Sequence, residues 1–163
     1  MIVFFIVLIA LIFMYIRNVY LKEFIEVTVI YKSLCKLLNS RDLLLLKILP
    51  DIKNKKQKER ILLLVDERNK KSRISYDDAI FADVELHNEL KEFYNNIDKM
   101  KKNELQMEIF RKIISFENQI KIVRKKYSAA VEKYNMSLTI HPKFCVKIMH
   151  MKPLEIYGNA IKK

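Results

Sequence analysis

FRKIISFENQIKIVRKKYSAAVEKYNMSLTIHP, residues 110–142, is the stretch whose reading decides the fold. Within it Phe110, Glu117, Arg124, Val131 and Leu138 recur every seven residues. Ile113, Ile120, Tyr127 and Tyr134 recur at the same interval, offset by three. Two rows so offset are the a and d positions of a helix packed along a seam. The spacing predicts one long helix from near Asn103 to near His141. Pro142 stops it, since proline has no N–H for the ladder and disfavours helix in the residue before it.

Glu117 and Arg124 stand on that seam, where an isolated charge is costly. They lie two turns apart, about 10 Å along the axis, and so cannot pair with each other. Each needs a partner on a neighbouring helix, and Arg41, Asp42 and Arg68 are the candidates. Ion pairs that fix the register of a bundle account for the pattern. On that reading a fully buried Arg124 would cost about 3–5 kcal/mol to replace by alanine. An enzyme acting through Glu117 and Arg124 is the remote alternative, and it requires a cleft around them.

Upstream, Ala79, Leu86 and Phe93 are seven apart, with Asp83, Leu90 and Ile97 as a companion row. They predict a helix to about Met100, opened by Ser75 and Asp78 as a capping pair. Ile61, Leu64, Val65 and Arg68 form an earlier apolar row, preceded by the solvated basic run KNKKQKER at 53–60. Asn39-Ser40 reads as a helix break, with a new helix from Arg41 whose Leu43 to Leu46 turn, apolar on all sides, should be deeply buried. Pro50 interrupts that helix. One glycine and three prolines in 163 residues leave too few turn residues for a sheet protein.

The first sixteen residues, MIVFFIVLIALIFMYI, carry no charge. They cover about 24 Å of a hydrocarbon core of about 30 Å, and Arg17 with Val19, Tyr20 and Leu21 closes most of the gap. A secretory signal would need a basic leader and a small-residue cleavage site, and neither is visible. Arg17, Lys22, Lys32 and Lys36 follow the span with no basic residue before it, which places the C-terminal side in the cytoplasm and the short N-terminus outside. The expected organisation is all-α: a single-pass transmembrane helix (1–17), an antiparallel bundle of three to four long helices (18–142) and a basic tail (143–163).

The net charge is +12 and the isoelectric point about 9.6. Besides the lipid bilayer, such a balance suits anionic lipid headgroups or an acidic protein. Nucleic acid is disfavoured, because charge without a recognition element does not make a binding module. Cys35 and Cys145 are far apart and read as free thiols. His141, Cys145 and His150 are too loosely spaced for a zinc site, and His87 reads as a surface residue. No phosphate loop, nucleophile elbow or HExxH motif is present, and no cofactor is expected.

Residues 116–142 resemble the LemA family of bacterial membrane proteins. Glu117, Asn118, Ile120, Arg124, Tyr127, Val131, Tyr134, Asn135 and Pro142 match its pattern, and Asp42 and Arg68 match upstream positions. Leu45-Leu46 departs from the family's proline-asparagine, Ser128 from the asparagine of its usual tyrosine-asparagine pair, and residues 149–151 from its glycine-phenylalanine segment. The resemblance implies an antiparallel helical bundle behind one span in a bacterial cell membrane, and a scaffolding or membrane-organising role rather than catalysis. It carries over no catalytic residue. Glu117, Asn118, Arg124, Tyr127, Tyr134, Asn135, Asp42 and Arg68 are the structural or interaction candidates, with a protein partner expected and a peripheral lipid-binding module, acting through basic faces, as the alternative.

Overall fold

Nothing between Ile2 and Ile48 forbids a helix: the segment holds neither glycine nor proline. It forms a single helix, α1 (Ile2–Ile48), about 70 Å long at the usual rise. In this computed structural model residues 2–51, 54–71, 76–97, 104–140, 143–148 and 151–154 are described. Pro50 ends the run in a 3-10 turn, Leu49–Asp51. Then follow α2 (Lys55–Lys71), α3 (Tyr76–Ile97), α4 (Glu104–Ile140) and the short α5 (Lys143–Ile148). The all-α bundle behind a long apolar N-terminal helix is as the sequence reads, and no strand occurs among the described residues.

The expected break at Asn39-Ser40 does not occur. Ser40 donates its hydroxyl back to the Lys36 carbonyl, 3.0 Å away, and the Asn39 side-chain oxygen accepts from Arg68 at 2.9 Å. Neither is left to cap a new helix, so α1 runs on. The burial expected of residues 43–46 fails for the same reason. A continuous helix turns only one side to its neighbours, leaving Leu45 buried while Leu43 and Leu46 are exposed. At α2, Asn54 is the cap, its side-chain oxygen accepting from the Gln57 amide at 3.2 Å. Ser75, of the expected Ser75–Asp78 capping pair, Met100, His141 and His150 lie outside the described residues, as do the side chains of Ile97 and Cys145.

α1 and α4 pack antiparallel over most of their common length. Tyr20 meets Ser137, Phe24 meets Tyr134, Tyr31 meets Tyr127 and Arg41 meets Glu117, so each step up α1 is a step down α4. The rings of Tyr31 and Tyr127 stand 5.9 Å apart, and those of Phe24 and Tyr134 6.0 Å. Both tyrosines of α4 are thus seam residues. α2 and α3 complete the bundle, α2 with the row Ile61, Leu64, Val65 and Arg68 turned inward.

The apolar core falls into three layers. The far one joins Leu45, Ile61, Leu64, Leu86, Phe93 and Ile113 from all four long helices. The middle one joins Val27, Leu34, Ile80, Ile120 and Val131. The third lies beside the apolar end of α1, where Ile16 and Tyr20 meet Phe13, Leu138, Val146 and Met151. Each fully buried side chain of this size contributes about 1.5–3 kcal/mol. Between the far and middle layers sits a plane of buried charge.

Candidate functional site

All four long helices send a charged side chain into that plane. Arg41 and Asp42 come from α1, Arg68 from α2, Asp83 from α3, and Glu117 with Arg124 from α4. Three guanidinium groups thus face three carboxylates. Arg41 is fully buried and reaches all three acids: Asp42 at 2.9 Å, Asp83 at 3.4 Å and Glu117 at 3.1 Å. Each acid then has a second partner. Arg68 holds Asp42 at 2.6 Å, Arg124 holds Asp83, and His87 lies 3.5 Å from Glu117. Arg68 also donates to Asn39 and, at 2.8 Å, to Asn69.

The electrostatics follow from that arrangement. Burial works against the charge on Arg41, but Asp42, Asp83 and Glu117 together outweigh it and hold its pKa above the ordinary value. Burial alone would also raise the Glu117 pKa. The His87 contact and the charges of Arg41 and Arg124 reverse that and leave it below the usual carboxylate range. Tyr94, whose hydroxyl donates to Glu117 at 3.4 Å, has its pKa raised by burial and by the neighbouring carboxylate. Cys35 is a free, half-buried thiol whose pKa burial raises.

The network is closed over α1 and α2 but open between α3 and α4. A groove of about 700 Å³ runs there, with Glu117, Arg124 and His87 in its lining and Lys91, Lys121 and Lys125 along it. The seam at Glu117 and Arg124 is therefore not sealed: their side chains are 14% and 13% exposed. His87 is not the surface residue the sequence suggested but a half-buried neighbour of Glu117. Among the described residues no group of three or more potential metal ligands is placed to hold an ion.

The sequence candidates divide between several places. Asp42, Arg68, Glu117 and Arg124 share the network, and Asn118 is exposed in the groove wall. Tyr127 and Tyr134 stay in the α1–α4 seam. Asn135 lies elsewhere and clasps the backbone of Leu154, donating to its carbonyl at 2.8 Å and accepting from its amide at 2.9 Å. It ties the C-terminal segment back onto α4. Asp83 and His87 are the members that sequence reasoning did not place in the site: Asp83 showed itself only as an acid in an apolar row, and His87 read as a surface residue.

A family model for the LemA family matches residues 37–162. The chain belongs to the LemA family. The match takes in every helix of the bundle except the N-terminal three-quarters of α1, and with it all six ionic members of the network. No curated protein and no solved structure matches the chain. For this LemA-family chain the geometry of the network and groove is accordingly the main guide to its chemistry.

Proposed function

We propose that this LemA-family chain is a non-enzymatic, membrane-tethered scaffold or adaptor that receives another protein in the α3–α4 groove. The observation that carries this reading is an open groove built over charges already committed to one another. α1 supports the tether, since its N-terminal part is long and apolar enough to cross a membrane.

The cleft that an enzyme would require does exist beside Glu117 and Arg124. Its chemistry favours binding nonetheless. A general acid or base works best with a pKa near the operating pH, and Glu117 is pushed the other way, toward stronger acidity. Arg124 holds Asp83, and Glu117 already serves Arg41, Tyr94 and His87. The exposed lysines above that floor suit a partner with acidic side chains.

Lipid binding through the basic run of α2 fits less well. Lys55 begins α2 at the end of the bundle farthest along α1, roughly 45 Å beyond Arg17 at 1.5 Å per residue. Charges act over about 8 Å at physiological ionic strength, so a bilayer at the apolar end of α1 lies out of reach.

A photoreactive residue at Lys121, in intact membranes, tests the reading. A discrete protein adduct, lost when the photoreactive residue is moved to Leu43 on the outer face of α1, is the expected result. No specific adduct from Lys121 would remove the scaffold reading.

A further inference from the structure

Ile2 to Ile12 are all exposed, but from Phe13 onward one side of the helix is occupied. Ile16 and Tyr20 are buried there against Leu138 of α4, Val146 of α5 and Met151 beyond it. The apolar stretch of α1 thus runs directly into a segment that α4 and α5 cover on one side.

The register places the covering residues closely. The Tyr20 hydroxyl donates to the Ser137 carbonyl at 3.0 Å, one of the last four carbonyls of α4, which have no partner within their own helix. With the helices antiparallel, Ile140 comes level with the neighbourhood of Arg17. Ile140 is 73% exposed and Met136 63%. On the open side of α1 at the same level Met14 and Tyr15 are equally bare. Around this apolar ring stand Lys143, Lys147 and Lys152, all exposed. An apolar band edged by lysines is the pattern of an element lying in a lipid interface, with the charged ends reaching for phosphate.

We propose that the last turn of α4 and α5 form a collar seated in the bilayer leaflet on the bundle's side, Ile140 and Met136 against acyl chains and the three lysines against headgroup phosphates. The proposal rests on α1 being a membrane span. It makes the membrane a partner of the α4–α5 end as well as of α1.

Depth-dependent quenching in vesicles tests this on the full chain. In a Cys35→Ser, Cys145→Ser background, Ile9→Cys, Ile140→Cys and Ser115→Cys each receive an environment-sensitive fluorophore, and the vesicles carry lipids with a nitroxide on the acyl chain. Ile9 and Ile140 should both be quenched severalfold more than Ser115, and Ile140 should resist iodide from the aqueous phase. Quenching at Ile9 with none at Ile140 would overturn the collar and leave the span standing. Absence of quenching at both positions would overturn the two together.

Discussion

Arg41 on α1 and Glu117 on α4 meet at 3.1 Å in the middle of the bundle, joining helices whose residues here are 76 positions apart in the chain. The contact fixes more than one pair. Because Arg41 also reaches Asp42 and Asp83, a slip of α4 along α1 by one turn would leave buried charges facing apolar side chains. Removing one partner of a buried pair is far more costly than the pair is stabilising, which is how such a network selects a register.

Arg41→Ala is therefore expected to lower stability by about 3–5 kcal/mol, since it strips a partner from three acids at once. Arg124→Ala should cost less, roughly 1.5–3 kcal/mol, the range for losing a hydrogen bond to a charged group. The difference arises because Arg124 lines the open groove, where water can approach Asp83, instead of being sealed in as a fully buried Arg124 would be. Chemical denaturation of the full chain in detergent, followed by helical circular dichroism, measures both. Equal losses, or a larger one for Arg124, would contradict the hub role of Arg41.

Acid should loosen the network through Glu117. Its carboxyl is more acidic in the folded chain than in the unfolded one. Its ionisation therefore stabilises the fold at pH values above the unfolded value of about 4.3, and that contribution disappears as pH falls through the lower folded value. Glu117→Gln should be less stable than the native chain at neutral pH, with the gap narrowing on acidification. Denaturation midpoints of both proteins across the pH range decide it; a gap that stays constant would exclude this residue as a source of acid sensitivity.

How far the sequence led is clearest on α4. Its heptad rows predicted the seam, and the charges on those rows announced that partners must exist on other helices. Arg41 was one of the partners expected. Asp83 was legible as an acid in an apolar row, but nothing local says which arginine it meets. His87 falls just after Leu86, off both rows, so its place beside Glu117 is a product of packing alone. The break at Asn39-Ser40 misled because side chains that can cap a helix can equally bond elsewhere. Arg68, 29 residues away, decided the matter for Asn39. The C-terminal segment read as a tail without periodicity, and α5 with its layer against Ile16 and Tyr20 emerges only when α4 brings it back along α1.

Asn135 offers a local test of that return. Its amide both gives to and takes from the backbone of Leu154, a reciprocal arrangement that an acceptor-only carboxylate cannot reproduce. Asn135→Ala should release the C-terminal segment while leaving the bundle nearly as stable, because Leu154 is only half-buried. Hydrogen exchange at the Leu154 amide should rise toward that of an unprotected peptide, with amides in the middle of α4 unchanged. Retained protection at Leu154 would mean that apolar contacts, not the side-chain clasp, hold the segment.

The orientation of the bundle is the remaining prediction. Arg17, Lys22, Lys32 and Lys36 follow the apolar run of α1, and a basic flank of this kind favours the cytoplasmic side. Ser115 is exposed on α4, far from the apolar end of α1, and so reports on the bundle without disturbing the network. A Ser115→Cys variant in the Cys35→Ser, Cys145→Ser background should be inert to a membrane-impermeant thiol reagent in intact cells and react fully after permeabilisation. Cytoplasmic placement would then turn the α3–α4 groove toward cytosolic partners with acidic faces. Labelling in intact cells would reverse the topology, and the partner crosslinked through Lys121 would have to be extracytoplasmic.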